Sequence, residues 1–181
     1  MGWRDGAGEL DAQMLAYPLP SNAVGQLEAW RAAAGACYAE GTGAHAVHYV
    51  PASWAGIRPW PGLLADQTEQ DETALSRQQV REVAHACTRT SDWADALVAS
   101  YVWGQGRNGY GAHRLRRILE RASARTVLSQ AAETLADDGA VAAYRTLYGA
   151  TPGLGPAFLT KFLYFAGTVL PHMPAPLSAH P

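Results

Sequence analysis

One corner of the chain limits its fold more than any other feature: Thr151-Pro152-Gly153-Leu154-Gly155-Pro156, set between two apolar stretches. Before it, Val141, Tyr144, Leu147 and Tyr148 recur at helical spacing and give one apolar face. Gly149 follows the last of them, where a helix end wants a residue that tolerates positive φ. After the corner, Pro156 suits the first turn of a new helix, because its missing N–H leaves no donor unsatisfied there. Phe158, Phe162 and Phe165 then share one face, with Leu159, Leu163 and Ala166 beside them. The stretch Ala140–Gly167 therefore reads as a helix–hairpin–helix. Gly153 and Gly155 let the backbone come close to a ligand, and Leu154 can plug the two helices together. Amides at the start of the second helix, with its dipole, make an anion site that fits a backbone phosphate. An ordinary helical corner uses the same residue types, so the hairpin alone leaves both readings open.

Lys161 favours the phosphate reading. It is the only lysine in the chain, every other basic residue apart from histidine being arginine, and it interrupts the apolar run Phe158–Phe165. It shares a helix face with Ala157 and Tyr164. A lysine there either snorkels from the helix edge or serves a base or phosphate site.

The chain has 181 residues, enough for one domain with a real core. Its net charge of −2 excludes bulk electrostatic binding of nucleic acid but not a local basic face. Cys37 and Cys87 lie far apart with no metal-binding spacing, which predicts two small buried side chains rather than a disulfide or a metal pair. His45 and His48 are a weak metal pair without further ligands beside them, so no metal site is expected. The first residues carry acids and no apolar h-region, so no signal peptide is expected, and the longest apolar run is too short to span a bilayer. A cytoplasmic protein with no membrane association is expected.

The chain divides into three parts: a flexible arm at 1–22, an N-terminal helix with a Trp/Pro-rich irregular segment at 23–70, and a helical core at 71–181. Ala23–Ala39 reads as a helix with Val24, Leu27, Trp30 and Ala34 near one face. The run from His45 to Val50 alternates like a short strand, and Trp54 and Trp60 read as core cover. Ser76 and Gln79 form a capping box ahead of the stripe Val80, Val83, Ala84 and Cys87. Ser91 is placed to cap the next helix, which turns Trp93, Leu97 and Tyr101 inward and ends at Trp103. The loop Gly104-Gln105-Gly106-Arg107-Asn108-Gly109-Tyr110-Gly111 follows; it lacks the Gly-Lys-Ser/Thr ending of a nucleotide-binding loop. Next comes a helix with Leu115, Ile118 and Leu119 inward and Arg114, Arg116, Arg117, Arg121 and Arg125 on its other positions and just beyond. With Arg107 this makes six arginines against one acid, Glu120, a local basic patch suited to phosphates along a duplex. A further helix, about Thr126–Ala136, leads into the hairpin.

Three pieces in this order, Val98–Gly104, Arg107–Gly111 and Gly153–Gly167, resemble the helix-hairpin-helix DNA glycosylase superfamily. Within it the chain is similar to bacterial proteins of the 8-oxoguanine DNA glycosylase fold, over roughly residues 70–180. The resemblance implies an all-α helix-hairpin-helix glycosylase-like domain, shortened at its C-terminus. It implies a monomer that bends double-stranded DNA, flips a damaged base into a pocket and cuts its N-glycosidic bond. It assigns Arg107 and Asn108 to the loop that fills the gap left by the base, Arg114 to the DNA face, and Gly153, Leu154 and Gly155 to a backbone phosphate. No organic cofactor is implied, only a monovalent cation on the hairpin carbonyls. Trp103, Tyr110 and Phe165 are candidates to line a base pocket or the core.

Two departures bear on catalysis. The family's nucleophilic lysine lies two residues after the second hairpin glycine, which here is Ala157. Lys161 follows one turn later on the same face, and helical side chains lean toward the N-terminus, so it becomes the candidate nucleophile. The family's aspartate position corresponds to Ser178 in Pro176-Leu177-Ser178-Ala179-His180, and no Asp or Glu follows Asp138. Serine supplies no negative charge for a cationic transition state, and His180 is only an improvised acid or base. Three readings result: a glycosylase-like protein with activity in question, a non-enzymatic helix-hairpin-helix DNA-binding module, and an all-α structural or interaction domain.

Overall fold

The computed structural model describes residues 20–33, 35, 46–65, 71–107 and 109–171. The expectations for Cys37, His45, Asn108, Ser178, His180 and the arm ahead of residue 20 lie outside them. The chain forms two units, one within residues 1–40 and one within 41–181.

The first unit contributes α1, Ala23–Ala32. It buries none of its residues, and Val24, Leu27 and Trp30 are exposed. The expected helix ran on to Ala39; residues 34 and 36–39 are outside the described set.

The second unit is all-α with one small ribbon. Strand β1, Ala46–Tyr49, pairs antiparallel with β2, Thr73–Ser76, in the register Val47 to Leu75. Between them lie a 3-10 turn at Pro51–Trp54 and the one-turn helix α2, Gly62–Ala65. The sequence showed the alternation of β1 but not its partner, because Thr-Ala-Leu-Ser is too short to display a period. Helix α3, Arg77–Thr90, starts at the expected capping box: Ser76 Oγ accepts from the Gln79 amide at 3.1 Å, and Gln79 Oε1 accepts from the Ser76 amide at 2.8 Å. Its stripe Val80, Val83, Ala84 and Cys87 is buried. Burial pushes the Cys87 thiol up to about 11, as expected for an inert packing side chain.

Helix α4, Ala94–Gln105, is the axis of the unit and touches α3, β1 and β2. It also packs against three later helices: α5, Gly111–Leu119; α6, Ala124–Asp137; and α8, Pro156–Gly167. Every residue from Ala96 to Val102 is buried, because neighbours cover the helix all round. Ser91 does not cap α4. It ends α3 in the left-handed conformation at φ 56°, and Asp92 Oδ1 accepts the Ala94 amide at 3.1 Å instead. The short carboxylate reaches the first turn of α4, whereas Ser91 is already committed to closing α3. Helix α4 also continues two residues past Trp103, so Gly104 and Gln105 are helical.

Helix α7, Ala140–Leu147, packs on α6 and α8. Its face differs from the expected one. Ala143 and Leu147 are buried, whereas Val141 and Tyr148 are exposed. Val141 and Tyr144 instead border an apolar groove of about 560 Å³ shared with Thr160, Leu163 and Tyr164 of α8. The periodicity gave the helix and its inner Leu147 but not the buried Ala143, because it could not say which side the neighbours would cover.

Candidate nucleic-acid interface and cleft

The hairpin forms as its residue types dictate. Gly149 takes φ +87° directly after the end of α7, and Gly153 takes φ +97°, a conformation that side-chain-bearing residues rarely adopt. The Leu154 amide donates to Thr151 O at 3.0 Å, which closes the turn, and Leu154 is 5 % exposed, the plug between the helices. Gly155 caps α8, and its carbonyl accepts from the Phe158 and Leu159 amides at 3.1 and 3.0 Å.

That bonding leaves a particular set of groups over. Among the described residues, the amides of Gly153, Gly155 and Ala157 donate no hydrogen bond, and Pro156 has none to donate. Gly153 and Ala157 are exposed, and a methyl group added at Gly155 would meet nothing within 4 Å. On the acceptor side, the carbonyls of Pro152, Gly153 and Leu154 receive no hydrogen bond among the described residues. The Thr151 hydroxyl beside them is buried and unpartnered. This corner presents open amides at the positive end of a twelve-residue helix, the chemistry of an anion site.

The arginine helix lies against it. A Cβ at Gly153 would sit 3.5 Å from Ile118 Cγ1 of α5, in van der Waals contact. Arg114 lies one turn before Ile118 on α5, with Arg117 one step further round, and Arg121 follows in the bend just after the helix. All three are exposed, and their side chains have no ion pair or hydrogen bond among the described residues. Tyr110, 76 % exposed at the start of α5, continues the same stripe.

The other three arginines are engaged. Arg107 pairs with Glu72, which also takes His48 Nδ1 at 2.9 Å. The Arg107 contact holds the Glu72 carboxyl below the usual carboxylate range and raises Arg107 in turn. Arg116 Nη2 donates to Ala55 O at 3.0 Å, and Arg125 pairs with Asp92. His48, once half of a conceivable metal pair, thus belongs to an ion cluster at the root of the glycine loop. Among the described residues, no three metal-ligating side chains gather.

Lys161 stands on the next turn of α8. Its Nζ donates to Ala157 O at 2.9 Å and lies 5.4 Å from the Phe158 ring centroid. The amine is therefore held one turn back, at Ala157, as the lean of helical side chains predicts. Gly104 of α4 makes this possible: a Cβ there would come within 2.7 Å of Lys161 Cδ and 3.1 Å of Phe158 Cε1. Gly104, read as the first residue of a loop, is a helical shelf for the lysine stem. Phe158 is fixed from behind by Tyr101, stacked at 3.8 Å and 9°.

Beside the lysine opens a cleft of about 310 Å³, lined by Arg77, Trp103, Thr160, Lys161, Tyr164 and Phe165. Trp103 meets Phe165 edge-on at 5.4 Å. Trp103 and Phe165 thus serve both the core and a cavity wall, whereas Tyr110 is not among the cleft residues. Arg77 carried no sequence signal, because its partners lie 26 and 87 positions away. No described carboxylate pairs with Lys161. Asp95, whose carboxyl burial raises, lines a different cleft with Cys87. It is nine residues along α4 from Gly104, about 13 Å on helix geometry, and cannot stand in for the missing acid.

No helix among the described residues is long and apolar enough to cross a membrane. No curated protein and no solved structure matches the chain significantly. A family model does, over residues 40–177, starting ahead of the stretch that carried the resemblance and taking in the ribbon, the arginine helix and the hairpin. Its description is "Putative 8-oxoguanine DNA glycosylase OGG-like protein", and with more than half of its length matched the chain belongs to that OGG-like family.

Proposed function

We propose that the protein binds double-stranded DNA, takes one damaged or modified base out of the stack, and cleaves its N-glycosidic bond with Lys161 as nucleophile. The observation that carries this reading is the Lys161 amine on Ala157 O, beside a hairpin whose amides are open. In the proposed complex a backbone phosphate sits on the amides of Gly153, Gly155 and Ala157. Arg114, Arg117 and Arg121 follow the same strand. Arg107 and Asn108, in the glycine loop, fill the space vacated by the base. One chain holds every part, so the monomer is the working unit.

The hairpin carbonyls suit a monovalent cation. Pro152, Gly153 and Leu154 offer oxygens without hydrogen bonds, and the orphaned Thr151 hydroxyl adds a fourth. A cation there would supply positive charge behind the phosphate. In the covalent step, neutral Nζ attacks C1′ of the deoxyribose. The C1′–N bond breaks, its electron pair leaves with the base, and the base takes up a proton. The amine loses a proton, and opening of the sugar ring gives a Schiff base. The residue in the family's aspartate position is Ser178, so charge developing on the sugar lacks its usual counter-charge and turnover is slow.

That same substitution favours a second reading, a DNA-binding module without catalysis. Borohydride trapping decides between them, on duplexes carrying single 8-oxoguanine, hypoxanthine or uracil. The expected result is a covalent adduct that disappears in Lys161→Ala. Salt-dependent duplex binding with neither adduct nor base release establishes the second reading, and an adduct that survives the substitution overturns the role of Lys161.

A further inference from the structure

Arg77 is a cation held against aromatic rings rather than against an acid. It is the first residue of α3, at the helix end where the dipole disfavours positive charge. Its guanidinium carbon lies 5.4 Å from the Trp103 ring centroid and 5.5 Å from that of Tyr164. Its Nε is buried without a hydrogen-bond partner, and no ion pair among the described residues includes it. Aromatic faces offset part of the lost hydration but accept none of its hydrogen bonds. A guanidinium close to two rings, with its buried Nε unpartnered, on the wall of a 310 Å³ cleft, is suited to a planar acceptor that enters from outside.

Thr160 and Lys161 on the cleft wall are already committed. The Thr160 hydroxyl spends its proton on Pro156 O at 2.8 Å and offers the cleft lone pairs alone, and the Lys161 amine is engaged at Ala157 O. The volume suits one flat heterocycle rather than a larger ligand. A base that turns an exocyclic amino group toward Arg77 would set N–H against N–H. A base that turns a carbonyl oxygen toward it would receive the guanidinium fork.

We propose that Arg77 is the specificity-determining residue of this cleft and selects flipped bases that present a carbonyl oxygen over those that present an amino group. The assignment rests on the DNA reading above, and the test separates the two. Full-length protein is titrated with three duplexes of one sequence: unmodified, with a central hypoxanthine, and with adenine mispaired at the same position. Hypoxanthine and adenine differ in the group at C6, a carbonyl against an amine, and in the N1 proton that accompanies it. Wild type should prefer hypoxanthine about tenfold, the discrimination expected of one good bidentate contact. Arg77→Ala should bring the ratio close to one. Arg77→Gln, which accepts as well as donates and pairs with adenine's edge, should move the preference toward adenine. A packing role for Arg77 would weaken all three duplexes together and leave the ratio alone. Loss of the preference in both variants supports the assignment. A wild type that binds duplex without preference, or a preference that survives both substitutions, overturns it. A wild type with no salt-dependent affinity for unmodified duplex overturns the DNA reading itself.

Discussion

Arg107 and the stripe Arg114, Arg117 and Arg121 come from one basic stretch of sequence, yet the fold treats them oppositely. Arg107 pairs at the surface with Glu72, which also binds His48, and so fastens the glycine loop to the segment before β2. Arg114 and Arg117 of α5 and Arg121 just beyond it carry no such partner among the described residues, and α5 presents Ile118 to the hairpin. A count of charges along the chain makes all six arginines of the stretch equivalent. The difference teaches that availability is set by which carboxylates and carbonyls the fold brings near, and that only half of the patch faces outward uncommitted.

Removing the open cations should have the largest effect. Arg114→Ala, Arg117→Ala and Arg121→Ala combined should weaken duplex binding about 100-fold near physiological salt. The slope of log affinity against log salt should fall by about 0.9 for each phosphate that is no longer neutralised. Titration at several salt concentrations reads both, and an unchanged slope would put the DNA face elsewhere.

Next in size is a substitution that leaves every cation in place. Gly104→Ala puts a methyl group where the Lys161 stem runs. Schiff-base trapping should slow by about tenfold, the scale of a misplaced reacting group, while duplex affinity stays the same. If trapping is unaffected, the shelf has no role in delivering the amine.

Shortening Leu154 to Ala removes the plug beneath the hairpin. A cost of about 3 kcal/mol in denaturant unfolding is expected for a buried leucine, with duplex affinity falling in the same variant. A small cost would mean that the turn is held by its own backbone bonds.

The smallest effect belongs to the engaged cation. Glu72→Gln releases Arg107 from its carboxylate, so affinity should rise no more than about threefold, with a slightly steeper salt slope. The pH dependence has a definite sign. Glu72 titrates lower in the folded protein than in the unfolded chain, mainly through its bond to Arg107. Its contribution to stability is therefore complete above the unfolded value and fades as pH falls through the folded one. Because the cluster is exposed, acid titration of Glu72→Gln should differ only slightly from wild type, and in that window alone.

Local chemistry made the hairpin legible. Positive φ at Gly149 and Gly153, a helix that opens at Pro156 and an apolar plug at Leu154 all follow from neighbours in sequence. The reach of Lys161 toward Ala157 was legible for the same reason, since it depends only on the lean of side chains within one helix. The capping box at Ser76 and the buried stripe of α3 belong to this class too. What could not be read joins residues distant along the chain. Glu72 meets Arg107 across 35 positions, and Arg77 meets Trp103 and Tyr164 across two helices. Gly104 looked like loop because glycines follow it, whereas packing keeps it helical and makes use of its missing side chain. Val141 and Tyr148 failed from the opposite cause: they lie at helical spacing with Tyr144 and Leu147, but the core takes Ala143 and Leu147 and leaves these two exposed.

Three main-chain amides, those of Gly153, Gly155 and Ala157, carry the proposed phosphate site, and their resonances report on it directly. A nitrogen–proton correlation titration of the full chain with an unmodified duplex should move the Gly153, Gly155 and Ala157 signals most, together with those of the α5 stripe. Those shifts should reverse on adding salt. If the three amides stay in place while signals elsewhere move, the hairpin is an ordinary helical corner and DNA binds at another surface.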